Sequence, residues 1–133
     1  MRSVYLAGQY ARRDELRIYQ HSFLGRSIHV TSRWLQENEK LNHDLADFDP
    51  EWKRLTALKD YWDIQRADTL IFFAEEPEQQ PRRGGRHVEF GMALALGKKV
   101  LVVGGEENIF HFMPQVKHYS SFEQLIGELD AAA

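Results

Sequence analysis

The 133-residue chain has no cysteine. This excludes disulfides, thiol nucleophiles and cysteine-ligated zinc or iron–sulfur centres, and it fits a reducing compartment. Other signatures are missing too. There is no Walker A pattern and no Gly-x-Ser-x-Gly elbow. Gly8 stands alone after the first apolar run, so the dinucleotide fingerprint is absent there. The six histidines are scattered, and His87-Val88-Glu89 lacks the i, i+4 spacing of a helical metal pair. No metal and no cofactor is expected. No run is long and apolar enough to span a bilayer, and the first residues lack a signal-peptide core. A soluble, cytoplasmic protein is the expectation. Net charge is −3, so no global field recruits nucleic acid.

With 43% apolar residues, the chain can bury a core as one domain spanning 1–133. Ser3 to Ala7 reads as a buried strand ended by Gly8. Residues 11 to about 26 carry Leu16, Tyr19, Phe23 and Leu24 at helical spacing, with Gly25 as a stop. Ile28–Thr31 reads as a short strand. Residues 32–55 have weak periodicity, carry Trp34, Phe48 and Trp52, and suit short helices or an ordered loop. Excursions of this length in compact domains often act as lids. From Pro50 to about Ala67 a helix is predicted, with Leu55, Leu58, Tyr61 or Trp62, and Ile64 inward. Strands follow at 68–74, 100–103 and, weakly, 116–119. A helix fills 86–97, a short helical turn 108–112, and a last helix capped by Ser120 or Ser121 carries Phe122, Leu125, Ile126 and Leu129. The alternation predicts an α/β fold: a doubly wound, five-stranded parallel sheet, flavodoxin- or Rossmann-like, of order 2-1-3-4-5. Ligands of such sheets sit beyond the carboxyl ends of the strands, near the switch between strands 1 and 3.

That rule brings Gly8, Gln9 and the Gly84-Gly85 turn to one rim. Gly84-Gly85 can offer backbone N–H groups to an anion at a helix start, or can be ordinary turn punctuation. Arg82, Arg83 and Arg86 place three guanidiniums beside that start, and they equally suit a loop salted against Glu75, Glu76 and Glu78. Glu89 falls in the predicted first turn, where the helix dipole favours the carboxylate and lowers its pKa. That suits a nucleophile, and it equally suits a common first-turn residue. Asp60 and Asp63, three apart, share a helix face and could both reach the rim. Asp68, at the opposite end of its strand, reads as a turn or cap residue. Tyr5 lies within the first strand, where a buried hydroxyl needs a partner.

Tyr5-Leu6-Ala7-Gly8, Asp60 through Ala67-Asp68, and Gly84-Gly85-Arg86-His87-Val88-Glu89-Phe90-Gly91 with Ala93 to Lys98 together resemble the nucleoside 2-deoxyribosyltransferase family. That family includes the deoxynucleoside 5′-monophosphate N-glycosidases. The resemblance implies cleavage of an N-glycosidic bond in a nucleoside or nucleotide. By it, Glu89 is the nucleophile, Asp60 the residue that protonates or orients the departing base, and Tyr5 the residue that positions Glu89. Gly8 matches the turn beneath the sugar and phosphate. One position departs from the pattern. Where nucleoside transferases carry an Asp and the monophosphate hydrolases a Ser, this chain has Arg83. Arginine prefers phosphate, which tilts the expectation towards a phosphorylated substrate. A homodimer or higher oligomer is implied, because a neighbouring subunit completes the site in some members; Asn108 is a candidate contributor. Gly8, Gln9, Asp63, Arg83, Gly84, Gly85 and Asn108 are the expected substrate-binding set. Two other readings stay open: a nucleotide-binding module without turnover, and a glycohydrolase of a larger nucleotide.

Overall fold

The computed structural model describes residues 1–37, 48–79 and 84–133. Its centre is one parallel sheet of order β2-β1-β3-β4-β5, as the alternation predicts. The strands are β1 (Ser3–Ala7), β2 (His29–Val30), β3 (Thr69–Phe73), β4 (Lys99–Val103) and β5 (Val116–Tyr119). β1 and β3 are central, in register at Tyr5 with Leu70 and Leu6 with Ile71. Val4 to Ala7 and Leu70 to Phe73 are all fully buried. A strand covered on both faces has no solvent side, which is why these segments read as continuous apolar runs rather than alternating ones.

Four helices, α1 (Arg13–Leu24), α2 (Pro50–Arg66), α3 (Gly85–Ala95) and α4 (Phe122–Ala132), cover the two faces. Tyr19 of α1 stacks on Phe122 of α4 at 3.8 Å between ring centroids, over Phe73. On the other face Phe72 meets Phe90 of α3 edge-on. The alternation of Phe72 and Phe73 thus feeds two separate half-cores. The helix that follows β1 and the helix that follows β3 lie on opposite faces, and a crevice opens between their starts.

Local chemistry sets the helix ends. Asp49 accepts the Trp52 N–H at 2.7 Å with Pro50 in the first turn, and Ser121 accepts the Gln124 N–H at 3.1 Å. Gly84 caps α3 with φ +73°, a conformation open to glycine at little cost. Among the described residues no helix is long and apolar enough to cross a membrane.

Two expectations about inward residues need correction. Leu55, Leu58 and Trp62 are 53%, 38% and 48% exposed. The inward stripe of α2 runs instead through Thr56, Asp60, Asp63 and Ile64. Three of these four are polar because the stripe fronts a cleft and an ion-pair cluster, so hydrophobicity alone points to the wrong face. Leu24, at the last residue of α1, also faces solvent, whereas Leu16 and Phe23 are buried. The predicted strand 28–31 reduces to His29–Val30, although the Thr31 N–H still bonds to the Val4 carbonyl at 2.8 Å. Of the expected excursion 32–55, residues 38–47 lie outside the described residues; the part before them holds a 3₁₀ turn, Arg33–Gln36.

Candidate active site

A cleft of about 760 Å³ opens at the carboxyl ends of β1 and β3. Four pieces of chain wall it. Gly8, Gln9, Tyr10 and Ala11 follow β1, and Trp34 and Glu37 belong to the 3₁₀ turn and its end. Thr56, Ala57, Asp60 and Tyr61 come from α2, and Gly84 to Arg86, Val88, Glu89 and Met92 from α3.

Gly8 has a steric reason for being glycine. A Cβ there would come within 2.9 Å of the buried Leu16 Cδ1 and 3.6 Å of Phe73 Cβ. The bare backbone lets the chain leave β1 tightly against α1 and leaves the cleft floor open.

Glu89 lines the cleft from α3. It lies one residue beyond the first turn, because α3 begins at Gly85. The Tyr5 hydroxyl, from the fully buried middle of β1, donates a hydrogen bond to Glu89 Oε2. The expectation of a carboxyl held low by the helix dipole is therefore corrected. Burial raises the Glu89 pKa to about 8, Tyr5 pulls it down, and the negative charge of Asp60 pushes it up again. Burial, then the charges of Glu89 and Asp60, raise the Tyr5 hydroxyl well above its ordinary value, so it stays a donor.

Asp60 is the second perturbed acid. Burial raises it to about 7, with Glu37 adding to the rise and Lys59 opposing it. Its Oδ1 is buried without a hydrogen-bond partner among the described residues. A buried oxygen left bare in a cleft wall costs free energy unless a proton or a ligand satisfies it. Two carboxyls whose charges oppose each other, both titrating near neutrality, form a pair able to hold a single proton.

The other expected residues fall in several places. Gly8, Gln9, Gly84 and Gly85 line the cleft. Gln9 also ties the cleft rim to the Gln79 carbonyl through its amide. Asp63 does not reach the rim, which corrects that expectation. It is fully buried and accepts hydrogen bonds from the Arg33 N–H at 3.0 Å, Arg33 Nε at 2.9 Å and Arg66 Nη2 at 2.6 Å. Asp60 and Asp63 share the inward face of α2, but Asp63 sits where Arg33 and Arg66 close over it, while Asp60 lines the cleft. Asn108 also stands outside the cleft. Its Oδ1 accepts the Phe110 N–H at 2.9 Å, and its Nδ2 lies 3.3 Å from His87 Nδ1. Arg82 and Arg83 lie outside the described residues.

Arg86 is not a free guanidinium at the helix start. It is buried against Glu107, with Nη2 to Oε1 at 2.6 Å, and sits 4.9 Å above the Phe72 ring. Glu107 also accepts the Glu75 N–H at 2.9 Å. Burial would raise the Glu107 carboxyl; the Arg86 and Glu75 hydrogen bonds and the charges of Arg86 and His87 together outweigh it and hold the group low. This pair fastens the start of α3 to the chain segments that follow β3 and β4. The sequence signalled Arg86 but gave no sign of Glu107. It marked Trp34 as an aromatic without a role and gave no sign of Glu37, since both reach the cleft only through the path of the Arg33–Gln36 turn.

No protein-family model matches the sequence, and no curated protein matches it significantly. Solved structures do. A CMP N-glycosidase from Clostridium botulinum, BcmB, is 22% identical with a TM-score of 0.60, over 97% of this chain and 98% of the other. A 2-deoxyribosyltransferase from Bacillus psychrosaccharolyticus is 15% identical with a TM-score of 0.71, over 93% and 90%. A conserved protein from Enterococcus faecalis V583 is 18% identical with a TM-score of 0.63, over 100% and 99%. The chain shares the whole-domain fold of these proteins.

Proposed function

We propose that this protein is a member of the nucleoside 2-deoxyribosyltransferase family and cleaves the N-glycosidic bond of a nucleoside or nucleoside 5′-monophosphate. The observation that carries the reading is the arrangement of Tyr5, Glu89 and Asp60: a buried hydroxyl holding one carboxyl, with a second, unpartnered carboxyl in the same cleft wall. The likeness to an N-glycosidase and a deoxyribosyltransferase supports it.

In this reading a Glu89 oxygen attacks the anomeric carbon. The bond from that carbon to the base nitrogen breaks, and its electron pair leaves with the base. Asp60 supplies a proton to the base. The sugar is then an ester of Glu89. Water, or the nitrogen of a second base, attacks the same carbon, Asp60 takes the proton, and Glu89 departs as carboxylate. Tyr5 donates to Glu89 throughout and orients its free oxygen. Asp60 at about 7 and Glu89 at about 8 rest with the shared proton on Glu89, so in this reading the reacting form is the minority one, in which that proton sits on Asp60 and Glu89 is ionised. Gly84 and Gly85 supply the α3 start, and Arg83 is proposed as the cation for a substrate phosphate. The protein acts without metal or cofactor in this reading, as a homo-oligomer that covers the apolar stripe Leu55, Leu58 and Trp62. Sizing by light scattering tests the oligomer.

The direct test incubates the protein with nucleosides and 5′-monophosphates, CMP among them, and follows free base by chromatography. Base release that is lost in Glu89→Ala supports the assignment. Equal release by the variant refutes it. A 2-fluoro-arabinosyl substrate analogue should leave a sugar adduct on the peptide that contains Glu89, read by mass spectrometry.

A further inference from the structure

The cleft holds a third carboxylate that the proposed chemistry does not use. Glu37 ends the Arg33–Gln36 turn and lines the cleft wall next to the α2 residues. Its place relative to the other two acids follows from their contacts. Lys59, the residue before Asp60 on α2, pairs with Glu37, which puts Glu37 on the α2 side of the cleft, whereas Glu89 stands on the α3 side, held by the Tyr5 hydroxyl. Lys59 pairs with Glu37 Oε1, while Oε2 has no hydrogen-bond partner among the described residues. Trp34, whose indole N–H is already spent on the Leu6 carbonyl at 2.8 Å, offers only its apolar surface. Tyr10 lies 6.4 Å from it, centroid to centroid. Aromatic walls suit a flat ring and carry no preference among bases. A fixed anion beside such a surface does carry one.

We infer that Glu37 reads the far edge of the nucleobase and selects bases that carry an exocyclic amine. The inference rests on the reading above, in which the sugar sits at Glu89 and the glycosidic nitrogen faces Asp60, so that the opposite edge of the base points towards Glu37. A carboxylate is acceptor-only. The amine of cytosine or adenine donates to it. Uracil, thymine and hypoxanthine present a carbonyl oxygen at the same edge position, and oxygen facing carboxylate is repulsive. Sites that bury such a polar group discriminate by leaving it unpaired with the wrong ligand.

The test uses matched pairs that differ only in amine against carbonyl: cytosine against uracil, and adenine against hypoxanthine. Each is supplied as the ribo- and 2′-deoxyribonucleoside and as the 5′-monophosphates. Binding by calorimetry and base release by chromatography are measured in parallel, on wild type and on Glu37→Gln with its melting temperature checked. The expected result is preference for the amine member by roughly tenfold or more in wild type. In Glu37→Gln, whose amide can donate as well as accept, the preference should fall to within about threefold, through KM rather than kcat. Equal binding of both members by wild type, or a preference unchanged in Glu37→Gln, overturns the inference. So does an equal loss for every base, which is what a merely structural Glu37–Lys59 pair would give. If discrimination in binding is present but no base is released, the glycosidic reading fails and the selectivity stands. If no nucleoside or nucleotide binds, both fail.

Discussion

The Tyr5 hydroxyl donates to Glu89 Oε2 across the interface between β1 and α3. The phenol comes from a fully buried strand residue, so the carboxyl is aimed by the most rigid part of the fold. One of its oxygens is engaged, leaving the other for the attack proposed above.

Removing the donor is the sharpest check. Tyr5→Phe should lower kcat by about 10- to 100-fold, the worth of a hydrogen bond to a charged group. It should also push the ionisation of Glu89 higher, because the Tyr5 hydrogen bond opposes burial there. A pH–rate profile with unchanged limbs would leave Tyr5 as core packing alone.

The activity of wild type should be bell-shaped and narrow. The pair must lose one proton to expose the nucleophile and keep the other to protonate the base. Activity therefore rises through about pH 7 and falls through about pH 8. Asp60→Asn should remove the falling limb and lower kcat by roughly 10²- to 10⁴-fold for substrates with a poor leaving base. A base that leaves without protonation should be spared most of that loss.

Stability should move in the opposite sense to a salt-bridged acid. The Glu89 carboxyl is raised from 4.5 to about 8, so burying it costs nothing while it is protonated in both states. The cost grows from about pH 4.5 and is complete above about pH 8. Glu89→Gln should match wild type in melts at pH 4. At pH 9 it should be more stable, by up to about 5 kcal/mol. Equal melting temperatures at pH 9 would contradict the buried, raised carboxyl.

Asp63→Ala should behave unlike Asp60→Asn. Asp63 accepts from two guanidiniums and the Arg33 N–H, so its loss should cost about 2–4 kcal/mol in denaturant unfolding. Below the melting temperature the pH profile should keep its shape. A changed profile with intact stability would put Asp63 into the chemistry.

The Arg86–Glu107 pair should prove an anchor. Glu107→Gln leaves a buried guanidinium short of its counter-ion, at a cost of about 3–5 kcal/mol. Replacing both with Met and Leu should recover much of that loss. If the double variant is as unstable as the single, the pair's charges are not what holds α3 in place.

Strand order, helix succession and the rim were legible in the chain itself because each is a local pattern. Buried parallel strands are continuous apolar runs, helix ends carry Asp49, Ser121 and Gly84, and the alternation of elements dictates a sheet switching between β1 and β3. Tyr5, Asp60 and Glu89 stood out by order and spacing. Their ionisation did not. The helix dipole, which the sequence suggests for Glu89, is worth less than the burial that only packing reveals. Asp63 and Asp60 look alike in sequence. They share a helix face, and only packing decides that one meets Arg33 and Arg66 while the other faces the cleft. Arg86 read as one of three guanidiniums open to an anion or to Glu75, Glu76 and Glu78; the chain after β4 brings Glu107 against it instead. Charge that neutralises charge across 21 residues has no periodicity to betray it. What each carboxyl and guanidinium does was decided by which partners tertiary packing placed beside it.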